Sequence, residues 1–128
     1  MGLIDEQPLT HLTDIHKKVS SRIERLGISV QDEIPFPPYT VDIYLPEYHA
    51  AVEIDGPHHN AKKDDLRDYK LWQEYRLYTL RIDIGEAKKA SKVKKMVLEF
   101  VDEIEELDMK MGTFYVRVSH AKGNGWQE

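Results

Sequence analysis

Two runs between Tyr39 and Asp55 alternate apolar and polar residues. Val41, Ile43 and Leu45 share one side of the first, Val52 and Ile54 one side of the second, which is the period of strands covered on one face. Pro46, Glu47, Tyr48 and His49 make a four-residue connection, so the pair predicted is an antiparallel hairpin with Asp42 facing Glu53, Tyr44 facing Ala51 and Thr40 facing Asp55. Ahead of it, Leu12, Ile15, Val19, Ile23 and Leu26 recur at helical spacing and Gly27 supplies a stop. Ile28 to Glu33 reads as a first strand, and Pro35, Phe36, Pro37 and Pro38 as a stiff connection to the second. Beyond the hairpin, Leu66, Tyr69, Leu71 and Trp72 predict a helix from about Asn60 to Tyr75, and Leu77 to Asp83 alternates as a fourth strand. A long helix is expected from about Glu86 to Met111, with Val93, Met96, Val97, Phe100, Ile104, Leu107 and Met111 as its apolar stripe. Thr113 to Ser119 reads as a late edge strand and Ala121 to Glu128 as a loose tail.

The element order is α, three strands, α, strand, α, strand, with helices able to cover both faces of a mixed sheet. The third strand, its crossover helix and the fourth strand should form a parallel unit, which makes the third strand central and buried. The fold class is therefore α/β in the broad sense (α+β), as a single domain over residues 1–120 with a flexible segment over 121–128.

Composition narrows this only a little. A chain of 128 residues with 41% apolar and 32% charged residues suits one soluble domain. The absence of cysteine excludes disulfides and thiolate zinc sites and fits a reducing, intracellular (cytoplasmic) setting. No apolar run suits a membrane span, so no membrane partner is expected. The net charge of −5 is awkward for a polyanion binder, because such affinity comes largely from Lys and Arg. The distribution of charge qualifies that objection. Lys88, Lys89, Lys92, Lys94 and Lys95 are followed by Glu99, Asp102, Glu103, Glu105, Glu106 and Asp108 on one helix, the reverse of what the helix dipole favours. Such a violation marks either a functional surface or merely a solvated helix face.

Chemistry concentrates in the hairpin. Cross-strand Asp42 and Glu53 would have Cβ atoms roughly 5 Å apart, and like charges so placed destabilise a sheet unless neutralised. A divalent cation with oxygen preference is the usual agent. Asp55 lies on the same strand face as Glu53, about 7 Å further along, so three carboxylates are expected to converge. Gly56 and Pro57 end the strand, and His58, His59 and Asp64 follow where a loop can bring them back. The competing reading is a solvated acidic strand face in a chain with 23 acidic residues.

These residues resemble the PD-(D/E)XK nuclease superfamily, whose restriction-endonuclease-like core has this order and whose motif is an aspartate on the second strand and acid-x-lysine on the third. Asp42 matches the first acid and Glu53 the second, while Asp55 stands where the lysine is expected. Two branches tolerate that change and both are similar to this chain. In the very short patch repair and homing endonuclease-like branch an aspartate binds metal and a histidine after the third strand is acid or base; VEIDGPHH with DDLRDYKL and LRI resembles it. The RAP domain, an RNA-associated module, is similar in IHKKVSSRIERLGI, Glu33, VDI and EIDGPHH. The likeness spans roughly Ile15 to Ile82. Relatives of the first branch often carry a glutamate on the first helix, where the matching position here is His16, with Asp14 and Glu24 off the apolar stripe.

The resemblance implies a Mg²⁺- or Mn²⁺-dependent endonuclease acting on nucleic acid, DNA favoured over RNA, with Asp42, Glu53 and Asp55 as metal ligands and a strand carbonyl near Ile54 beside them. His59 would be general acid or base, Asp64 its orienting partner, and Arg67 would either face the scissile phosphate or pair with Asp64. Lys88, Lys89, Lys92 and Lys95 are candidates for binding the nucleic acid. The acidity points to help from a homodimer mate or a protein partner. The alternatives are a catalytically idle RAP-like RNA-binding module and a protein-interaction domain.

Overall fold

The alternating strands assemble, in a computed structural model describing residues 7–57, 60–112 and 114–123, into one four-stranded mixed sheet. Its order is β1 (Gln31–Phe36), β2 (Tyr39–Leu45), β3 (Ala50–Asp55), β4 (Tyr78–Asp83). β2 and β3 are antiparallel with Ile43 opposite Val52, Tyr44 opposite Ala51 and Leu45 opposite Ala50, the register that the four-residue connection predicts. β3 and β4 are parallel, with Glu53 level with Arg81 and Asp55 with Asp83. β3 is an inner strand, and all its residues but Asp55 are buried.

Helices cover both faces. α1 (Gln7–Glu24) and α4 (Ala90–Met111) place Ile15, Val19, Ile23, Val93, Val97 and Val101 against Ile43, Leu45, Val52, Ile54 and Ile82. α2 (Ala61–Tyr75) sets Leu71 and Tyr75 against Phe36, Val41, Tyr44 and Ala51 on the other face. Gly27, at φ +87°, closes the turn after α1 in the left-handed conformation that glycine adopts without a Cβ penalty. No helix among the described residues is long and apolar enough to cross a membrane.

Several expectations are corrected. β1 starts at Gln31 and runs through Pro35 to Phe36, because an edge strand tolerates a missing N–H; only Pro37 and Pro38 turn the chain. Leu66 and Tyr69 are exposed while Leu71 and Tyr75 are buried, so α2 rests on a later face than its first apolar residues suggest. The long helix begins at Ala90, after a short α3 (Ile84–Ala87) capped by the Asp83 side chain. In its stripe Val101 is buried, while Leu107 and Met111 are exposed. The segment read as an edge strand is a helix, α5 (Phe114–Gly123). Its Arg117 is buried and donates to the carbonyls of Tyr48, His49 and Arg76 and to both oxygens of Asp108, a tertiary anchor that overrides the strand propensity of the local sequence. Residues 124–128 of the expected tail lie outside the described residues.

Candidate active site

The pairing of β2 with β3 ends at Ile43 and Val52. Beyond it β2 continues along β1 to Tyr39 and β3 along β4 to Asp55, so the two strands part like a fork. Asp42 and Glu53 are the first residues past the last rung. Each carboxylate takes over a backbone hydrogen bond across the gap. The Asp42 N–H donates to Glu53 Oε2 at 2.7 Å, and the Ile54 N–H donates to Asp42 Oδ2 at 2.9 Å. The pair expected from the register is thus brought together, held by main-chain donors of the opposite strand.

The fork is reached from both faces of the sheet. From α1, His16 Nε2 lies 3.9 Å from Asp42 Oδ2; Asp14 and Glu24 of the same helix are exposed. From α2, Arg67 donates to Glu53 Oε1 at 3.0 Å and to the Thr40 carbonyl at 2.6 Å, with its guanidinium 5.2 Å from the Tyr39 ring centre. Its Nε is buried with no hydrogen-bond partner among the described residues. Arg67 therefore pairs with Glu53 rather than with Asp64.

Glu53 is only 5% exposed. Burial, then the charge of Asp42, pushes its carboxyl up to about 7, against the pull of the Asp42 N–H, Arg67 and Arg81. At neutral pH this group is poised between its two protonation states, a condition suited either to proton transfer or to capture of a cation.

The expected convergence of three carboxylates is reduced to two. Arg81, level with Glu53 on β4, takes Asp55 through Nη1 at 2.7 Å and grips Asp68 of α2 through Nε and Nη2 at 2.9 and 2.7 Å. Asp64 lies 3.6 Å from the same guanidinium. Burial alone would lower the pKa of Arg81, but hydrogen bonding and charge from Asp68, then Asp55 and Asp64, outweigh it and hold it above the ordinary value. Asp55 and Asp64 thus belong to a network that staples α2 to β3 and β4. Among the described residues no three His, Asp or Glu side chains are grouped to hold one ion. His58 and His59 lie outside the described residues.

No protein-family model matches the chain, and no curated protein sequence matches it. The chain is similar to a solved structure, the catalytic domain of the homing endonuclease I-Bth0305I. The identity is 17% and the TM-score 0.48, over 83% of this chain and 95% of that one.

Lys88, Lys89, Lys92 and Lys95 are all exposed around the start of α4. The residue that the sequence does not single out is Arg81; of the first-helix positions it names, His16 is the one beside Asp42. Arg81 could be found only from the parallel register that sets it level with Glu53.

Proposed function

We propose that this chain is a metal-dependent endonuclease that hydrolyses phosphodiester bonds of nucleic acid, DNA favoured, through the fork between β2 and β3. The observation that carries the reading is the pair Asp42 and Glu53, placed side by side where two strands part and with one of the two buried. Adjacent acids at that depth are costly without a cation. The donor set fits Mg²⁺ or Mn²⁺: hard oxygen ligands from two carboxylates, with the Asp42 side chain 26% exposed and so open to water, which suits ions that retain part of their hydration shell. Bound there, such an ion would neutralise charge on the phosphoryl group and acidify a water.

The chain's own residues divide the remaining work. Asp42 and Glu53 would hold the ion, while Asp55, engaged by Arg81, would position β3 instead of binding metal. Arg67 is the counter-charge of Glu53, and with a cation at the acid pair its guanidinium would be free to pair with a phosphate. His59, four positions past Asp55 in the sequence, is the candidate general acid or base, and His16 is a candidate to hold water beside Asp42. The resemblance of VDI and VEIDGPHH to the nuclease superfamily supports the same assignment.

A second reading is favoured by one observation: Arg67 and Arg81 already neutralise Glu53 and Asp55, as a catalytically idle RNA-binding module would allow. Cleavage assays with Mg²⁺ or Mn²⁺ on plasmid and single-stranded substrates separate the two. Asp42→Ala and Glu53→Ala are each expected to lower the rate at least about 100-fold while leaving binding in chelator intact. Equal rates in wild type and both variants would remove the proposed site, and wild type that binds RNA without cleaving any substrate would establish the idle module.

A further inference from the structure

Charge is divided between the two ends of the sheet. α4 follows β4 through α3, so Lys88 and Lys89 come only a few residues after Asp83, which is level with Asp55. The other end of α4 reaches the β2–β3 connection. There Asp108 binds Arg117, which also holds the Tyr48 and His49 carbonyls. Burial, then Glu105, Glu47 and Asp102, raises the Tyr48 pKa. The reversed charge order on α4 thus sets its bases at the end of the sheet that carries the acid pair, and its acids at the opposite end.

A second basic surface adjoins the first. Lys17, Lys18, Ser21 and Arg22 of α1, with Arg25 in the turn directly after it, line one open groove. Arg22 Nη1 donates to the Ala87 carbonyl at 2.8 Å, which joins this groove to the residue directly before Lys88. Lys18 with Arg22, and Arg22 with Arg25, are like charges at helical neighbour spacing, an arrangement that weakens a helix unless an anion screens it. The ion pairs among the described residues engage none of Lys17, Lys18 and Arg25. His16, one residue before Lys17 and about 100° round the helix from it, faces Asp42.

We infer that the α1 groove and the α3–α4 junction form one continuous track for the phosphodiester backbone of a nucleic acid, delivering it to the fork. The inference rests on the nucleic-acid reading of that site. From Lys17 to Arg25 the helix axis advances about 12 Å, the length of roughly three phosphates along one strand of a duplex. The track qualifies the objection that the net charge of −5 raises against a polyanionic substrate, because the acids of α4 stand at the opposite end of the sheet. Contacts to phosphate alone give position and affinity without sequence preference.

The test is fluorescence anisotropy in EDTA, where no cleavage occurs, with labelled duplex and single-stranded oligonucleotides over a salt series. The variant combines Lys17→Glu, Lys18→Glu and Arg25→Glu; a second, with Gln at the same positions, removes charge without reversing it. Circular dichroism melts verify that both fold. The expected result is an affinity loss of about tenfold or more at low salt, with the slope of log K against log salt falling by roughly two to three for duplex. Unchanged affinity and slope in both variants overturns the track, and so does wild type that retains no oligonucleotide. Unchanged oligonucleotide binding with self-association lost in sedimentation would assign the groove to the acidic face of a second copy and overturn it equally. Failure here with cleavage still lost in Asp42→Ala leaves the endonuclease reading standing. Binding through the track by a protein that cleaves nothing leaves the track standing and removes the endonuclease.

Discussion

Arg81 serves three aspartates with one guanidinium, and this division of charge explains why Asp55 does not join Asp42 and Glu53. The side chains of Arg81, Asp55, Asp64 and Asp68 are 19, 13, 20 and 30% exposed, so part of their charge is out of water. Arg81→Met would leave three acids around an apolar stub. We expect a loss of about 2 to 3 kcal/mol, toward the low end for a buried pair because solvent screens the outer acids, read as a lower urea midpoint at pH 7. An unchanged midpoint would show that the network does not staple α2 to the sheet. The acids of the fork were legible in the sequence because strand alternation and a four-residue connection set Asp42 against Glu53. The fate of Asp55 was not, since it depends on a residue twenty-six positions away that only the parallel pairing of β3 and β4 brings level.

At the scale of elements, α2 and α5 behave in opposite ways. α2 announces itself: the Asn60 side chain accepts from the Lys63 N–H, the local capping bond that a residue of this type makes at a helix start. α5 conceals itself, because the alternation and β-branched residues of TFYVRVS describe a strand wherever local preference decides. What decides here is Arg117, 2% exposed and stacked 4.7 Å from the Tyr78 ring centre. Arg117→Met should remove the Arg117 donors from three carbonyls and from Asp108 and cost about 3 kcal/mol. Limited proteolysis should then cut first near Gly112, with residual cleavage of nucleic acid per folded molecule unchanged. Protease resistance equal to wild type would mean that α5 is held by its apolar contacts alone.

For the whole molecule, two buried groups pull the pH dependence of stability in opposite directions. His49 is fully buried, its ring between the Tyr44 hydroxyl and the Tyr75 carbonyl. Burial, then Arg117, lowers its pKa from 6.5 to about 4, with Tyr75 and Asp108 opposing. The unfolded chain therefore binds the extra proton between these values, and stability falls as pH drops from 6.5 toward 4. Glu53 is raised from 4.5 to about 7, so the folded state binds the extra proton and stability rises as pH drops from 7 toward 4.5. Each group contributes about 3 kcal/mol across its window. In EDTA the wild type should show a nearly flat urea midpoint between pH 6.5 and 4.5. Glu53→Gln should lose stability on acidification through this range and His49→Gln should gain it. Parallel profiles for the two variants would refute the opposition.

The parting of β2 from β3 has a spectroscopic consequence. The amides of Asp42 and Ile54 end on carboxylate oxygens instead of carbonyls, so their protons sense directly what those carboxylates hold. In a nitrogen-15 correlation spectrum these two signals should shift together, and ahead of the rest of the sheet, when Mg²⁺ is titrated into the protein. Movement elsewhere with both amides still would place the ion outside the fork.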